Sequence, residues 1–166
     1  MKEINIKELK ESAVSLFDDR WALITAGNEK SYNTMTASWG ALGELWNKDV
    51  CFCFIRPQRY TYEFTEKEEY FTVSFFGEEY KKALAYCGRN SGRDVDKAKE
   101  TGLTPLAVGS SMSFEQAEII LLCKKLAFQD INPEGFIVPG IDKACYPDKD
   151  YHRMYIGEIV KCLVKQ

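Results

Sequence analysis

The run Val50-Cys51-Phe52-Cys53-Phe54-Ile55 is apolar at every position and stops two residues short of Pro57. A strand with no polar side must be covered on both faces, which points to a layered or closed sheet. Residues 21–26 and 32–38 read as two more strands, with Gly27-Asn28-Glu29-Lys30-Ser31 as a hairpin turn by composition. Phe71, Val73 and Phe75 alternate with Thr72 and Ser74, the pattern of a half-buried strand. Residues 117–131 form a long strand, apolar on both parities around Ile119-Ile120-Leu121-Leu122, and residues 151–164 form the last, with Gly157 as a bulge. Helical patterns fall on residues 6–17, 60–68, 78–86 and 94–100. Gly88 and Gly102 sit where helices stop, and Gly40 and Gly43 loosen the chain after the second strand.

Six strands with short helices between them define a mainly β chain. A closed or nearly closed antiparallel barrel removes the unpaired edges that so many strands would otherwise expose. The two-faced strand near Leu121 calls for an outer cover, either a helix or a second subunit. No repeat, linker or low-complexity tract divides residues 1–166, so a single domain is expected. The net charge of −3 argues against nucleic acid, which requires a basic stripe. Residues 1–8 carry no apolar signal core, and no run is long enough to cross a bilayer, so no membrane association is expected and the cytoplasm is the default. The six cysteines show neither zinc nor redox-motif spacing and read as buried, reduced thiols. His152 is the single histidine, which leaves no basis for a metal site or a catalytic triad.

Chemistry concentrates in two short stretches. Asn33-Thr34-Met35-Thr36-Ala37-Ser38-Trp39 ends a strand with small and hydroxyl side chains, against which a flat ring can lie. Thr36 and Ser38 are candidate donors; the alternative is a strand end that satisfies its own turn. Arg56-Pro57-Gln58-Arg59-Tyr60-Thr61 sets two guanidinium groups at a strand-to-helix corner, a natural seat for a phosphate. The same arginines also fit as solvated charges or partners of Glu63 and Glu66. Cys87-Gly88-Arg89-Asn90-Ser91-Gly92-Arg93-Asp94 is a basic, glycine-punctuated loop in which Ser91 and Arg93 can add an anion contact or a lid. Lys97 either reaches the same phosphate or pairs with Asp94. His152 fits both a ligand-facing imidazole and a satisfied core residue.

Taken together, Asn33 to Trp39, Arg56 to Thr61, Ser91 to Lys97 with Gly102-Leu103-Thr104, and His152-Arg153-Met154-Tyr155-Ile156-Gly157-Glu158 resemble the flavin reductase-like, FMN-binding split-barrel family, which includes the flavoredoxins. The resemblance implies a six-stranded antiparallel Greek-key split barrel, usually a homodimer. It implies Thr34, Met35, Thr36, Ala37 and Ser38 along the isoalloxazine, Asn33 among the cofactor-binding residues, and Arg56, Arg59, Tyr60 and Thr61 at the ribityl phosphate. Cys87, Ser91, Arg93 and Lys97 would close over the cofactor, with His152 facing the site in a catalytic role. FMN rather than FAD, with NAD(P)H as transient donor, would make the protein an oxidoreductase. The same family also contains electron carriers that serve a redox protein partner. A barrel that binds no flavin is the remaining alternative.

Overall fold

The computed structural model describes all residues, 1–166. Its strands are β1 (Lys2–Ile4), β2 (Ala22–Asn28), β3 (Ser31–Ala37), β4 (Gly40–Leu45), β5 (Lys48–Ile55), β6 (Tyr70–Phe75), β7 (Pro105–Val108), β8 (Ser111–Phe114), β9 (Ile119–Asp130) and β10 (Arg153–Val164). The helices are α1 (Ala13–Ser15), α2 (Tyr60–Lys67), α3 (Lys81–Arg89), α4 (Lys97–Thr101) and α5 (Ile141–Cys145). The six strands expected from the sequence are β2, β3, β5, β6, β9 and β10. One antiparallel sheet runs β3-β2-β6-β9-β10-β5-β4, and β1 joins β10; β7 and β8 form a separate hairpin. β10 is long enough to pair with β5 through residues 153–158 and with β1 through residues 162–164. The sheet curls into a barrel with β3 and β4 at its unpaired ends, so it is split rather than closed. The fold is a mainly β, antiparallel split barrel with more strands than the six expected.

Two cores explain the apolar runs. Inside the barrel, Ile24, Cys53, Phe71, Phe75, Leu121 and Tyr155 belong to one buried cluster. Outside it, Leu23, Leu84, Phe114, Ile120 and Leu122 form a second. Side chains of β9 therefore alternate between two apolar compartments, which is why neither parity is polar. The cover over this strand comes from the chain's own β7–β8 hairpin and α3, not from a second subunit. The same hairpin buries the outer face of β6, expected to be half exposed. Thr72 Oγ1 donates to the Met112 carbonyl at 2.5 Å, and Ser74 Oγ pairs with Ser113 Oγ at 2.7 Å. Hydroxyls are tolerated there because each is matched.

Several local expectations are corrected. Residues 6–17 do not form one helix: a 3₁₀ turn at Ile6–Glu8 is followed by α1 and a π-helical segment, Leu16–Arg20. Gly40 and Gly43 lie within β4, paired to β5, instead of in a loose connection. The β2–β3 turn is only Glu29-Lys30, and Gly27 sits inside β2 at φ 115°. Phe52 and Phe54 on β5 are half-buried, so that strand is not fully covered on both faces. Gly88 lies inside α3, which ends at Arg89, whereas Gly102 caps α4 in the left-handed region as expected.

Glycine is required where backbone and rings meet. The β9–β10 register shifts between Ile156 and Gly157, and the extra residue is Leu126 of β9, opposite the glycine and not, as expected, at the glycine itself. A Cβ on Gly157 would lie 2.6 Å from Phe71 Cζ and 2.8 Å from Cys123 Cβ. Gly157→Ala overpacks the barrel core and should cost about 1–3 kcal/mol. Thermal melting checks this, with about 2–4 °C lost per kcal/mol for a chain of this size.

Candidate functional site

The C-terminal half of β3, the β5–α2 corner, the α3–α4 loop and the segment leading into β10 converge on two adjoining clefts. The larger, of about 500 Å³, is walled by Ala37, Trp39, Phe54, Arg56, Asp150 and His152, among others. The smaller, of about 140 Å³, is walled by Arg59, Tyr60, Thr61, Asn90, Ser91 and Lys97, among others. Met35, Gln58 and Arg59 line both, so the two are one elongated groove. Its size lies within the roughly 300–1,000 Å³ range of small-molecule sites.

The small cleft is framed by buried polar groups. Asn33 Nδ2 donates to Thr61 Oγ1 at 2.7 Å, which ties β3 to the first turn of α2. Gly92 packs against the same amide: a Cβ there would fall 1.9 Å from Asn33 Oδ1. Lys97 is 6% exposed and donates to the carbonyls of Thr34 and Cys87, each at 2.7 Å. Burial lowers its ammonium to a pKa of about 8, with Cys87 pulling upward and Arg59 downward. Arg59 donates to the Gly88 carbonyl at 2.7 Å, and burial, then Arg56, lowers its pKa. Neither Lys97 nor Arg59 has a carboxylate partner. Two partly desolvated cations without a counter-charge make this an anion seat. Tyr60 and Thr61, which line the same end of the groove, are the first two residues of α2, where backbone amides have no intrahelical acceptor.

Other expected residues are placed differently. Arg56 forms an ion pair with Asp150 at 2.5 Å, donates to the Cys145 carbonyl at 2.8 Å and lies over the Tyr146 ring. Its charge is used on the wall of the large cleft, away from the small one. Arg93 pairs with Glu63 and stacks on Tyr60 at 4.6 Å, partly exposed. Glu66 instead receives Arg153 and Tyr155. Lys97 does not pair with Asp94. The Thr36 hydroxyl donates to the Leu84 carbonyl at 2.5 Å, and the Thr34 hydroxyl is engaged with Thr25 and the Ile24 carbonyl. Of the hydroxyls on this segment, only that of Ser38 stays free for a ligand. Cys87 is buried, which pushes its thiol up to about 11 despite Lys97.

His152 is 8% exposed, and its Nδ1 pairs with the Tyr146 hydroxyl at 2.9 Å. Trp39 lies 5.0 Å away and Phe54 6.4 Å away, centroid to centroid. Burial, then the nearby Arg56, lowers its pKa to about 4, so the ring is neutral near pH 7. Gln58, Trp39, Phe54, Tyr146 and Asp150 were not assigned from the sequence. Arg56 needs a counter-charge, and Asp150 stands two residues before the single histidine; that spacing was the available signal.

A split barrel with a polar groove at its rim is the architecture of flavin-binding proteins. A family model described as "Flavin reductase like domain" matches residues 14–166, and the chain belongs to that family. Among curated proteins, none matches. Solved structures with this fold include an FMN-binding protein from Thermus thermophilus, determined with bound p-hydroxybenzaldehyde. It is 18% identical with a TM-score of 0.71, over 100% of this chain and 83% of that one. Flavoredoxin of Desulfovibrio vulgaris (Miyazaki F) is 21% identical with a TM-score of 0.69, over 89% and 70%. An NADH:FAD oxidoreductase from Streptomyces globisporus C-1027, in complex with NAD and FAD fragments, is 14% identical with a TM-score of 0.66, over 88% and 74%. Family membership supports a flavin-binding, oxidoreductase-type role.

The depressed His152 pKa makes a stability prediction. Between pH about 4 and 6.5 the unfolded chain binds a proton at this ring that the folded chain refuses. Acidification through that window should therefore destabilise wild type more than His152→Gln. The difference should be on the order of 1–3 kcal/mol, read from thermal melts at pH 7 and pH 4.5.

Proposed function

We propose that this chain is an FMN-binding oxidoreductase that uses NAD(P)H as a transient hydride donor. The observation that carries this reading is the pair of unpaired cations, Arg59 and Lys97, in a phosphate-sized cleft that opens into a larger groove. Arg59, Lys97, the Ser91 hydroxyl and the α2 amides would hold the ribityl phosphate. Each charged hydrogen bond is worth roughly 1.5–3 kcal/mol. Met35 and Gln58 flank the passage between the clefts, where the ribityl chain would run. Ala37, Ser38 and Trp39 would border the ring, since the small side chains of this strand end allow close backbone approach. Bound FMN would supply the redox chemistry, taking hydride from the nicotinamide and passing electrons to an acceptor.

The protein's own contribution is positioning and exclusion. Tyr146 holds the His152 ring by Nδ1, and Arg56, fixed by Asp150, lies over the Tyr146 ring. A neutral imidazole at this rim can orient a ligand by hydrogen bonding without adding charge. A mononucleotide is favoured over FAD because the cation pair matches one phosphate. We read the chain as one domain over residues 1–166, cytoplasmic, and assembled as a homodimer. The half-buried Phe52 and Phe54 and the exposed Trp39 and Trp46 support a second copy as cover.

An electron-carrier role is the second reading. An apolar slot of about 460 Å³ on the other side of Trp39, lined by Val14, Phe17, Phe54 and Ile131 among others, favours docking of a redox protein beside the ring. NADH oxidation by FMN-loaded protein separates the two. Sustained turnover supports the enzyme, and reduction only in the presence of a partner supports the carrier.

Phosphate binding is tested by fluorescence titration with FMN. Arg59→Ala should weaken affinity by about 10- to 100-fold, one lost charged hydrogen bond. An unchanged Kd removes Arg59 from the phosphate seat. The phosphate needs protonated Lys97, so wild-type affinity should be flat between about pH 7 and 8, where the phosphate is already a dianion, and fall as pH rises above 8. Lys97→Met should bind more weakly throughout and lose that alkaline decline.

A further inference from the structure

The large cleft opens onto an aromatic chain that ligand binding leaves unexplained. Trp39, 46% exposed, lines the cleft, and its indole meets the Tyr146 ring edge-on at 6.5 Å between centroids. Tyr146 is 4% exposed, and the half-buried Tyr151 ring lies 4.9 Å beyond it. Rings packed this closely pass an electron without a covalent link. Each phenol also has a proton acceptor of its own. The Tyr151 hydroxyl donates to Asp142 Oδ1 at 2.8 Å, and the Tyr146 hydroxyl pairs with His152 Nδ1 at 2.9 Å. Both distances fall in the roughly 2.6–3.2 Å reach of direct proton transfer. Tyr146 has no other acceptor, so its buried O–H is matched only by donating to Nδ1, whereas Nε2 is not sealed from solvent. The imidazole is neutral near pH 7, which keeps Nδ1 free to accept. Burial raises the Tyr146 phenol above its ordinary pKa, and the bond to Asp142 does the same at Tyr151, so both start protonated. Packing alone would be served by phenylalanine at both positions.

We propose that Trp39, Tyr146 and Tyr151 form a one-electron relay that drains strong oxidants, such as oxygen-derived radicals or a photoexcited dye, from the cleft to the surface. The oxidant takes one electron from the Trp39 indole and is reduced. The indole radical cation takes an electron from Tyr146, whose proton moves to His152 Nδ1. The Tyr146 phenoxyl then takes an electron from Tyr151 and recovers its proton from the imidazolium, while the Tyr151 proton passes to Asp142. A reductant in solution, a thiol or ascorbate, supplies the last electron, and Asp142 returns the proton. The protein ends unchanged, one electron having passed from reductant to oxidant. Met35, which lines both clefts, is the thioether that such oxidants would otherwise convert to sulfoxide. The relay needs an oxidant in the cleft and does not depend on the flavin reading.

Flash-quench photolysis with tris(bipyridine)ruthenium and a cobalt(III) pentaammine quencher tests the relay on protein without flavin. Trp46→Phe removes the other exposed indole, between β4 and β5, and serves as the reference. Its transient absorption should show an indole radical decaying as a tyrosyl radical rises. Adding Tyr146→Phe should abolish the rise and leave the indole radical to persist. Adding Tyr151→Phe should keep the rise and abolish its quenching by ascorbate. Tyr62→Phe is the control: the Tyr62 and Tyr155 rings lie 6.3 Å apart beside Glu66, away from this chain, and the variant should change nothing. Matching melting curves exclude a folding defect in the variants, and the reference protein is informative by itself. No indole radical, or indole decay without a tyrosyl rise, overturns the relay. So does a rise that survives Tyr146→Phe, quenching that survives Tyr151→Phe, or an equal loss in Tyr62→Phe. The oxidant is supplied in solution, so failure of FMN to bind leaves the relay standing, and failure of the relay leaves the Arg59–Lys97 seat untouched.

Discussion

Lys97 organises the site because it is a buried cation held only by carbonyls. Its two bonds, to Thr34 on β3 and Cys87 on α3, join the strand that walls the groove to the helix that covers it. Carbonyl dipoles offset part of the desolvation and leave the charge itself unmatched, which is why its proton is held loosely. Arg59, bonded to the carbonyl of Gly88 on the same helix, stands in an equivalent state. The architecture therefore keeps two positive charges in place at the cost of stability, a cost that an anionic ligand would offset. Gly88 lets α3 lie close to β3, since a Cβ there would sit 3.3 Å from Thr36 Cβ.

The strands were legible because burial writes itself as periodicity. The six long strands follow directly from apolar runs, while Gly157 marks a register shift whose extra residue lies across from it on β9. The missed strands lack that signal. β4 reads Gly-Ala-Leu-Gly-Glu-Leu, and one of its glycines is there for contact: Gly40 leaves room for the Phe17 ring, which would meet a Cβ at 2.2 Å. Only tertiary packing reveals such a use. Likewise the Thr and Ser of β6 looked like a solvent face, and became buried once β8 supplied matching partners.

The candidate site was legible as a place and less so as a set of roles. Arg56 and Arg59 are three residues apart and chemically identical in sequence, yet one faces Asp150 and the other an uncompensated cleft. That difference depends on residue 150, ninety-odd positions away, and no local pattern encodes it. Lys97 carried the opposite lesson: it was weighed against a simple pairing with Asp94, and burial placed it at the centre. Arg93, by contrast, spends its charge on Glu63 at the surface.

The bulge at Val160 resets the phase of β10, because Ile159 pairs with Cys123 and Lys161 with Leu122, leaving Val160 unpaired on β9. Side-chain parity in a strand is binary, so the extra residue lets odd positions, Tyr155 and Ile159, face the inner cluster before it and even positions, Cys162 and Val164, face it afterwards. Removing that one residue would not merely shorten the ribbon. It would set the two halves of the strand out of phase, so that either the Tyr155 phenol or the Cys162 thiol would have to leave the interior.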